Sequence, residues 1–238
     1  MTSHPLDRPI WNALATRHAH LSEGGTRAKC YQPSVAAFAA SHDDSPAALQ
    51  ALADLSFDGR NLLFLQADAV VVPPGMVAVS HAAAVQMTTN RPLEIEQDER
   101  IELLGQSDIP AMRALAELTK PGPFTARALE LGAFWGVKEN GRLLAMAGER
   151  LKPQGFSEIS GVCSHPDARG RGLAKRLSIA VAGRIIERGE QPFLHAYATN
   201  TAAIALYESI GFSVRSVMHV AVLQRAPTNQ GTVFAEGS

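Results

Sequence analysis

With 238 residues and a formal net charge of −1, the chain can hold one large or two small domains, and general binding to nucleic acid or anionic membranes through bulk charge is excluded. It is 46% hydrophobic and 19% charged, no apolar run approaches the roughly 20 residues that span a bilayer, and the N-terminus shows no charged-then-apolar signal. Two cysteines, Cys30 and Cys163, cannot make a disulfide framework and fit a reducing cytoplasm.

Trp11, Leu14, His18 and Leu21 share one helical face, with Asp7 as the expected cap and Pro9 in the first turn. His4, His18, His20 and His42 do not form a metal pattern. His18 and His20 do not converge on a helix, and no nearby cysteine or HExxH spacing joins them. Ser45-Pro46 starts a second helix whose apolar face is Leu49, Leu52 and Leu55. Residues 61–66 (NLLFLQ) read as a short strand, Pro73-Pro74-Gly75 as a turn, and 76–87 as another strand. No catalytic grouping stands out before residue 90, and the polar stretch 88–100 (TTNRPLEIEQDER) reads as a linker.

Beyond it, 101–104 reads as a strand, and Asp108-Ile109-Pro110 opens a helix along Met112, Leu115, Ala116 and Leu118. Pro121-Gly122-Pro123 breaks that helix, and 124–131 reads as a second, shorter one. Asn140-Gly141, between apolar runs 134–137 and 143–150, predicts a hairpin.

The most informative stretch follows. A run with Phe156, Ile159, Val162 and Cys163 reads as a strand ending at Pro166. Arg169-Gly170-Arg171-Gly172 comes next, and then a helix with Leu173, Leu177, Val181 and Ile185 on one face. The first turn of a helix carries unpaired N–H groups and about half a positive charge, and glycines let an anion approach the backbone. With Arg169, Arg171 and Lys175 adjacent, strand, turn and helix should bind phosphate. A Walker loop is absent, and the spacing departs from a dinucleotide fingerprint.

R-G-R-G-L-A (169–174) matches the [RQ]-x-x-G-x-[GA] signature of the GCN5-related N-acetyltransferases (GNAT). The strand before it resembles that family's central strand. About 30 residues on, 200–212 (NTAAIALYESIGF) resembles its second motif of Asn, Ala, Tyr and Gly-Phe. The resemblance covers roughly residues 95–225 and, for the N-terminal part, extends more weakly to the FR47-like subset. It implies an α/β protein with the GNAT fold, a mixed, mostly antiparallel sheet with helices on both faces. A smaller α/β domain, resembling a degenerate GNAT-like half, would precede it. The expected division is 1–90 for the N-terminal domain and 91–238 for the catalytic domain.

The resemblance also implies acetyl-CoA (coenzyme A), held by Val162, Cys163, Ser164, Arg169, Gly170, Arg171, Gly172, Leu173, Ala174, Asn200, Ala203 and Tyr207. Tyr207 matches the family's acid, since a phenol with a pKa near 10 can protonate a departing thiolate. The Val162 N–H would face the oxyanion, Asn200 would hold pantetheine, and 121–131 would line the acceptor pocket. Strand alternation puts Glu158 on the face of Ser160 and Val162, and QGFSEI resembles the stretch holding the catalytic glutamate of the GCN5 subgroup. Glu149 or a water competes for the role of base. A covalent acetyl-Cys163, with His165 near it, is set aside because direct transfer is the family's usual route. The expected activity is acetyl-CoA-dependent transfer to the primary amine of a small or amino-acid-like acceptor. A protein or peptide amine, or a non-catalytic acyl-CoA sensor, is the alternative. The first 90 residues are expected to close the acceptor side or support a homodimer.

Overall fold

The computed structural model describes residues 4–55, 59–89, 93 and 98–227. Five α-helices occur among them: α1 (Pro9–Ala15), α2 (Pro46–Ala53), α3 (Ile109–Thr119), α4 (Leu173–Glu187) and α5 (Thr201–Ser209). Strands β1 (Ser22–Gly24), β2 (Ala28–Tyr31) and β3 (Ala39–Ser41) make a small sheet. The large sheet has eight strands: β4 (Leu62–Gln66), β5 (Met76–Thr89), β6 (Ile101–Leu104), β7 (Phe134–Glu139), β8 (Arg142–Glu149), β9 (Phe156–Ser164), β10 (Gln191–Tyr197) and β11 (Phe212–Arg225). Their spatial order is β4-β11-β5-β10-β9-β8-β7-β6. The β9–β10 pairing is parallel and the others are antiparallel, so the sheet is mixed and mostly antiparallel.

Both faces of this sheet are covered. On one, Leu173, Leu177, Val181 and Ile185 of α4 pack with Tyr207 and Ile210 against Trp135, Ala145, Ile159 and Leu194. Full burial of an aliphatic side chain contributes about 1.5–3 kcal/mol, so this stripe fixes the position of the first turn of α4. On the other face α3 places Met112 and Leu115 on Phe134, Met146 and Cys163. Beside it the N-terminal segment lays Leu6, Ile10, Leu14, Tyr31 and Phe38 over Leu65, Phe193 and Met218.

Three local expectations change. The first helix stops at Ala15, and a separate turn at Ala19–Leu21 carries Leu21 into the core. Its N-cap position is Arg8 rather than Asp7, because Asp7 pairs with Arg215 at 2.5 Å. The second short helix is only a tight turn at Ala128–Glu130, where Pro121, Gly122 and Pro123 have left too little regular backbone. The 76–87 strand runs on to Thr89, so the start of the expected linker belongs to the sheet, while 90–92 and 94–97 lie outside the described residues.

The division at 90/91 falls between strands of one sheet. β4 and β5 precede it, yet β5 pairs with both β10 and β11.

Candidate active site

The parallel pairing of β9 with β10 ends at Ile159↔Leu194, and beyond it the two strands part. A cleft of about 200 Å³ opens there. Ser160, Gly161 and Val162 line it from β9, and His195, Ala196 and Tyr197 from β10. Asn200, Ala203 and Tyr207 close one end. Phe38, Leu63, Leu65 and Ala84 form an apolar wall from the N-terminal part, and 120–123 with Arg150 complete the other side.

β9 is bent at this place. Its pairing with β8 skips from Met146↔Cys163 to Gly148↔Ser160, which leaves one extra residue on β9. Gly161 has φ 65°, and a Cβ there would come within 2.7 Å of the Phe134 ring, so only glycine fits the bulge. The bulge inverts the alternation. Ile159 and Val162 both pack on the α4 side, whereas Cys163 packs on the α3 side. Glu158 and Val162 therefore do not share a face, contrary to the expectation from simple alternation.

At the other end of the site, Gly170 (φ 76°) and Gly172 (φ 72°) carry the chain into α4. A Cβ at either would meet nothing within 4 Å, and the N-terminus of α4 has no side-chain cap. Arg169 and Lys175 are exposed, with no ion pair among the described residues. Arg171 is held by Glu139 in a two-point ion pair. Ala174 lies in the first turn of α4, where Leu173 faces the core, so Leu173 can serve a ligand only through its backbone. An open glycine turn, unpaired backbone donors and two uncommitted cations fit a pyrophosphate.

Asn200 caps α5, its side-chain oxygen accepting from the Ala203 N–H at 3.1 Å, which turns Tyr207 toward the end of the cleft. Burial pushes the Tyr207 phenol up to about 12, so it holds its proton throughout the physiological range.

Glu158 is fully buried. Arg150 donates to its two oxygens at 2.9 and 2.7 Å, the Leu151 N–H at 3.2 Å, and His195 Nδ1 lies at 2.7 Å. Burial alone would raise its pKa, but the charge and hydrogen bonds of Arg150, with those of His195, outweigh that and hold the carboxyl well below the usual carboxylate range. A carboxylate with both oxygens so engaged accepts a proton poorly, which argues against Glu158 as the base. Glu149 is buried as well, bound through Oε2 to Lys152 at 2.6 Å and Arg188 at 2.9 Å. Burial raises the Cys163 thiol to about 11, and His165 is engaged by Arg142 at 2.6 Å, so the two make no nucleophile–base pair. Ser164 pairs opposite Ala145 in the ladder.

Sequence reading missed Arg150 and His195 as cleft residues. Arg150 sits at the end of a hairpin and His195 on a strand (FLHAY) too short to stand out. Only their meeting at Glu158 in three dimensions marks them. His18 is a core histidine, with Tyr31 Oη at 2.7 Å and the Leu131 carbonyl at 3.1 Å, and burial lowers its pKa to about 4.

A sheet whose β9–β10 pairing ends beside a glycine-rich helix start, with a buried phenol at the end of the cleft, is an arrangement that suits an acyl-CoA-dependent acyltransferase. The FR47-like protein family profile matches residues 134–220. A GNAT-family protein from Novosphingobium aromaticivorans has 40% sequence identity and a TM-score of 0.88, with 94% of this chain and 100% of that one covered. A GCN5-related N-acetyltransferase from Kribbella flavida shares the fold at 14% identity and a TM-score of 0.62, covering 92% of this chain and 96% of its own. A GCN5-related N-acetyltransferase-like protein from Streptococcus suis does so at 14% identity and a TM-score of 0.59, with 92% of each chain covered. None of the curated proteins matches the chain. The chain belongs to the GNAT family of acetyltransferases, enzymes that draw on an acyl-CoA donor. Among the described residues, no helix is long and apolar enough to cross a membrane.

Proposed function

We propose that the protein transfers the acetyl group of acetyl-CoA directly to the primary amine of a small, amino-acid-like acceptor. The observation that carries this reading is the cleft itself. It joins Tyr207 and Asn200 at one end to an apolar wall and Arg150 at the other, in a space of small-molecule size. Bound acetyl-CoA supplies an activated thioester acyl group. Arg169, Gly170, Arg171, Gly172, Ala174 and Lys175 would hold its phosphates, and Val162, Asn200 and Ala203 its pantetheine arm.

Tyr207 keeps its proton at neutral pH and would give it to the departing sulfur. The Val162 N–H, on a strand that no longer pairs with β10, is assigned to the acyl oxygen. Proton removal from the acceptor falls to water in the cleft or to Glu149, since Glu158 has both oxygens engaged by Arg150 whereas Glu149 is bound through Oε2 and keeps Oε1 without a hydrogen-bond partner among the described residues. Glu158 then acts as a positioning residue that holds Arg150 and His195. Two free, buried cysteines support a cytoplasmic setting.

Release of free CoA from acetyl-CoA tests the reading. Small amines should accelerate it severalfold over the acceptor-free rate, with one acetylated amine formed per CoA. Acceleration by N-terminal peptides alone would favour the peptide reading. Tight binding of acetyl-CoA without release under any condition would favour the sensor.

A further inference from the structure

The acceptor end of the cleft presents two cations, Arg150 and Lys120. Arg150 lies 5.0 Å from the centroid of the Phe38 ring, and its Nε and Nη2 are committed to Glu158. Nη1 stands outside that pair and faces the 121–123 loop. A Cβ built at Gly122 would meet Arg150 Nη1 at 3.9 Å, which puts the guanidinium against this loop, and the Arg150 side chain keeps 15% exposure. Lys120, left-handed (φ 51°) just past α3, lines the same cleft and has no ion pair among the described residues.

No Asp or Glu is among the described residues that line this cleft, and Glu149, which lines the small adjoining pocket beside Arg150, is bound to Lys152 and Arg188. Glu158 sits behind the guanidinium, where the Leu151 N–H and His195 also donate to it. Its charge is therefore offset without any call on Nη1. The support is stiff. Gln86 donates to the Leu6 carbonyl at 2.8 Å and lies 3.0 Å from His195 Nε2. Its oxygen accepts from Arg215 at 2.8 Å, and Arg215 pairs with Asp7. A cation held this way loses little freedom when it meets an anion, and a guanidinium favours a planar, bidentate partner such as a carboxylate.

We infer that Arg150 Nη1, with Lys120 in the same cleft, binds a carboxylate on the acceptor, so that the substrate class is a small molecule carrying both a primary amine and a carboxylate. This rests on the acetyl-transfer reading above. The phosphate-binding turn at 169–172 lies outside the lining of the cleft, which separates this anion site from the one assigned to the donor.

The test uses the full chain, acetyl-CoA, and a panel of L-amino acids, each paired with its amide, its decarboxylated amine and a dipeptide that it begins. Wild-type kcat/KM should favour the best acid over its amide and its amine by about 10²-fold, chiefly through KM. Removing both members of the pair in Arg150→Met/Glu158→Gln leaves no buried charge unpaired, and the preference should shrink to about threefold or less. Acetyl-CoA affinity, read by calorimetry, should hold. Arg150→Lys, which keeps a charge against Glu158 but lacks the fork, should lose the same preference, so a poorly folded double variant does not decide the matter. Amides or amines as good as the acids, no reaction with any acid, or a preference surviving in Arg150→Lys would overturn the inference. Dipeptides preferred to free amino acids would place the carboxylate on a peptide and overturn the small-molecule class. If acetyl-CoA is neither bound nor consumed, the acetyl-transfer reading itself falls, and this inference with it.

Discussion

Gly172→Asp places a carboxylate where the donor's pyrophosphate is assigned. The structure makes the effect calculable, because a Cβ at residue 172 meets no protein atom within 4 Å. The new side chain occupies open space, and its effect falls on the ligand. A unit charge about 5 Å from a phosphate, at an effective dielectric between about 20 and 80, is repelled by about 1–3 kcal/mol. Affinity for acetyl-CoA should thus fall by about 10- to 100-fold. Stability should move little. A non-glycine residue at φ 72° costs about 1 kcal/mol, and a negative charge at the start of α4 returns about 0.3–1 kcal/mol through the helix dipole. Gly172→Asn is the control, since it is similar in size, tolerates a left-handed backbone and carries no charge. Calorimetric titration of acetyl-CoA into both variants, with their melting temperatures recorded, is the assay. A folded Asp variant that binds like wild type, or like the Asn variant, would refute the phosphate assignment.

Tyr207→Phe keeps the ring that meets Phe212 edge-on at 6.4 Å, so stability and donor KM should hold while kcat falls about 10²–10⁴-fold. With the phenol raised to about 12, wild-type kcat should show no loss of this acid up to pH 10, and a wild-type kcat in the variant would leave Tyr207 as packing. Arg150→Met alone strands the buried Glu158 charge and should cost about 3–5 kcal/mol in denaturant unfolding, and adding Glu158→Gln should recover much of it. Recovery of none would mean that the pair is not the source of the loss. Because Glu158 is held below its ordinary 4.5, its ionised form contributes stability above that pH and loses it as pH falls through and below it. Glu158→Gln should therefore flatten the acid side of the stability profile, and an unchanged acid side would contradict the assignment. A chain starting at Thr89 lacks β4 and nearly all of β5, which lies between β10 and β11, so it should be insoluble or melt without cooperativity. A folded, fully active monomer would show the N-terminal part to be dispensable.

The sequence made the site legible where chemistry and periodicity coincide. Leu173, Leu177, Val181 and Ile185 announce α4, the glycines before them announce the open turn that leads into it, and Asn140-Gly141 marks the β7–β8 hairpin. β10 and β11 went unread. β10 is a short run buried on both faces, and in β11 a bulge near Arg215 disturbs the alternation that a strand would show. The three-stranded β1–β3 sheet has strands of three or four residues, too short for any period to appear. The bulge at Gly161 reversed the face of Val162 relative to Glu158. A single extra residue does that, and only pairing with β8 reveals it. The engagement of Glu158 was not legible, because the residues that neutralise it come from positions 150 and 195, remote in sequence and joined only by the fold. The boundary near residue 90 looked like a linker because its composition is polar. The pairing of β5 with β10 and β11 is long-range and leaves no local mark.

Following the label from [acetyl-13C]acetyl-CoA tests the central claim most directly. On incubation with the full chain and a reactive amino acid, the label should appear as an N-acetyl amide in step with the CoA released, and the intact mass of the protein should stay unchanged throughout. An acetylated protein intermediate, or CoA released with the label recovered only as free acetate, would contradict direct transfer from acetyl-CoA to an amine in this cleft.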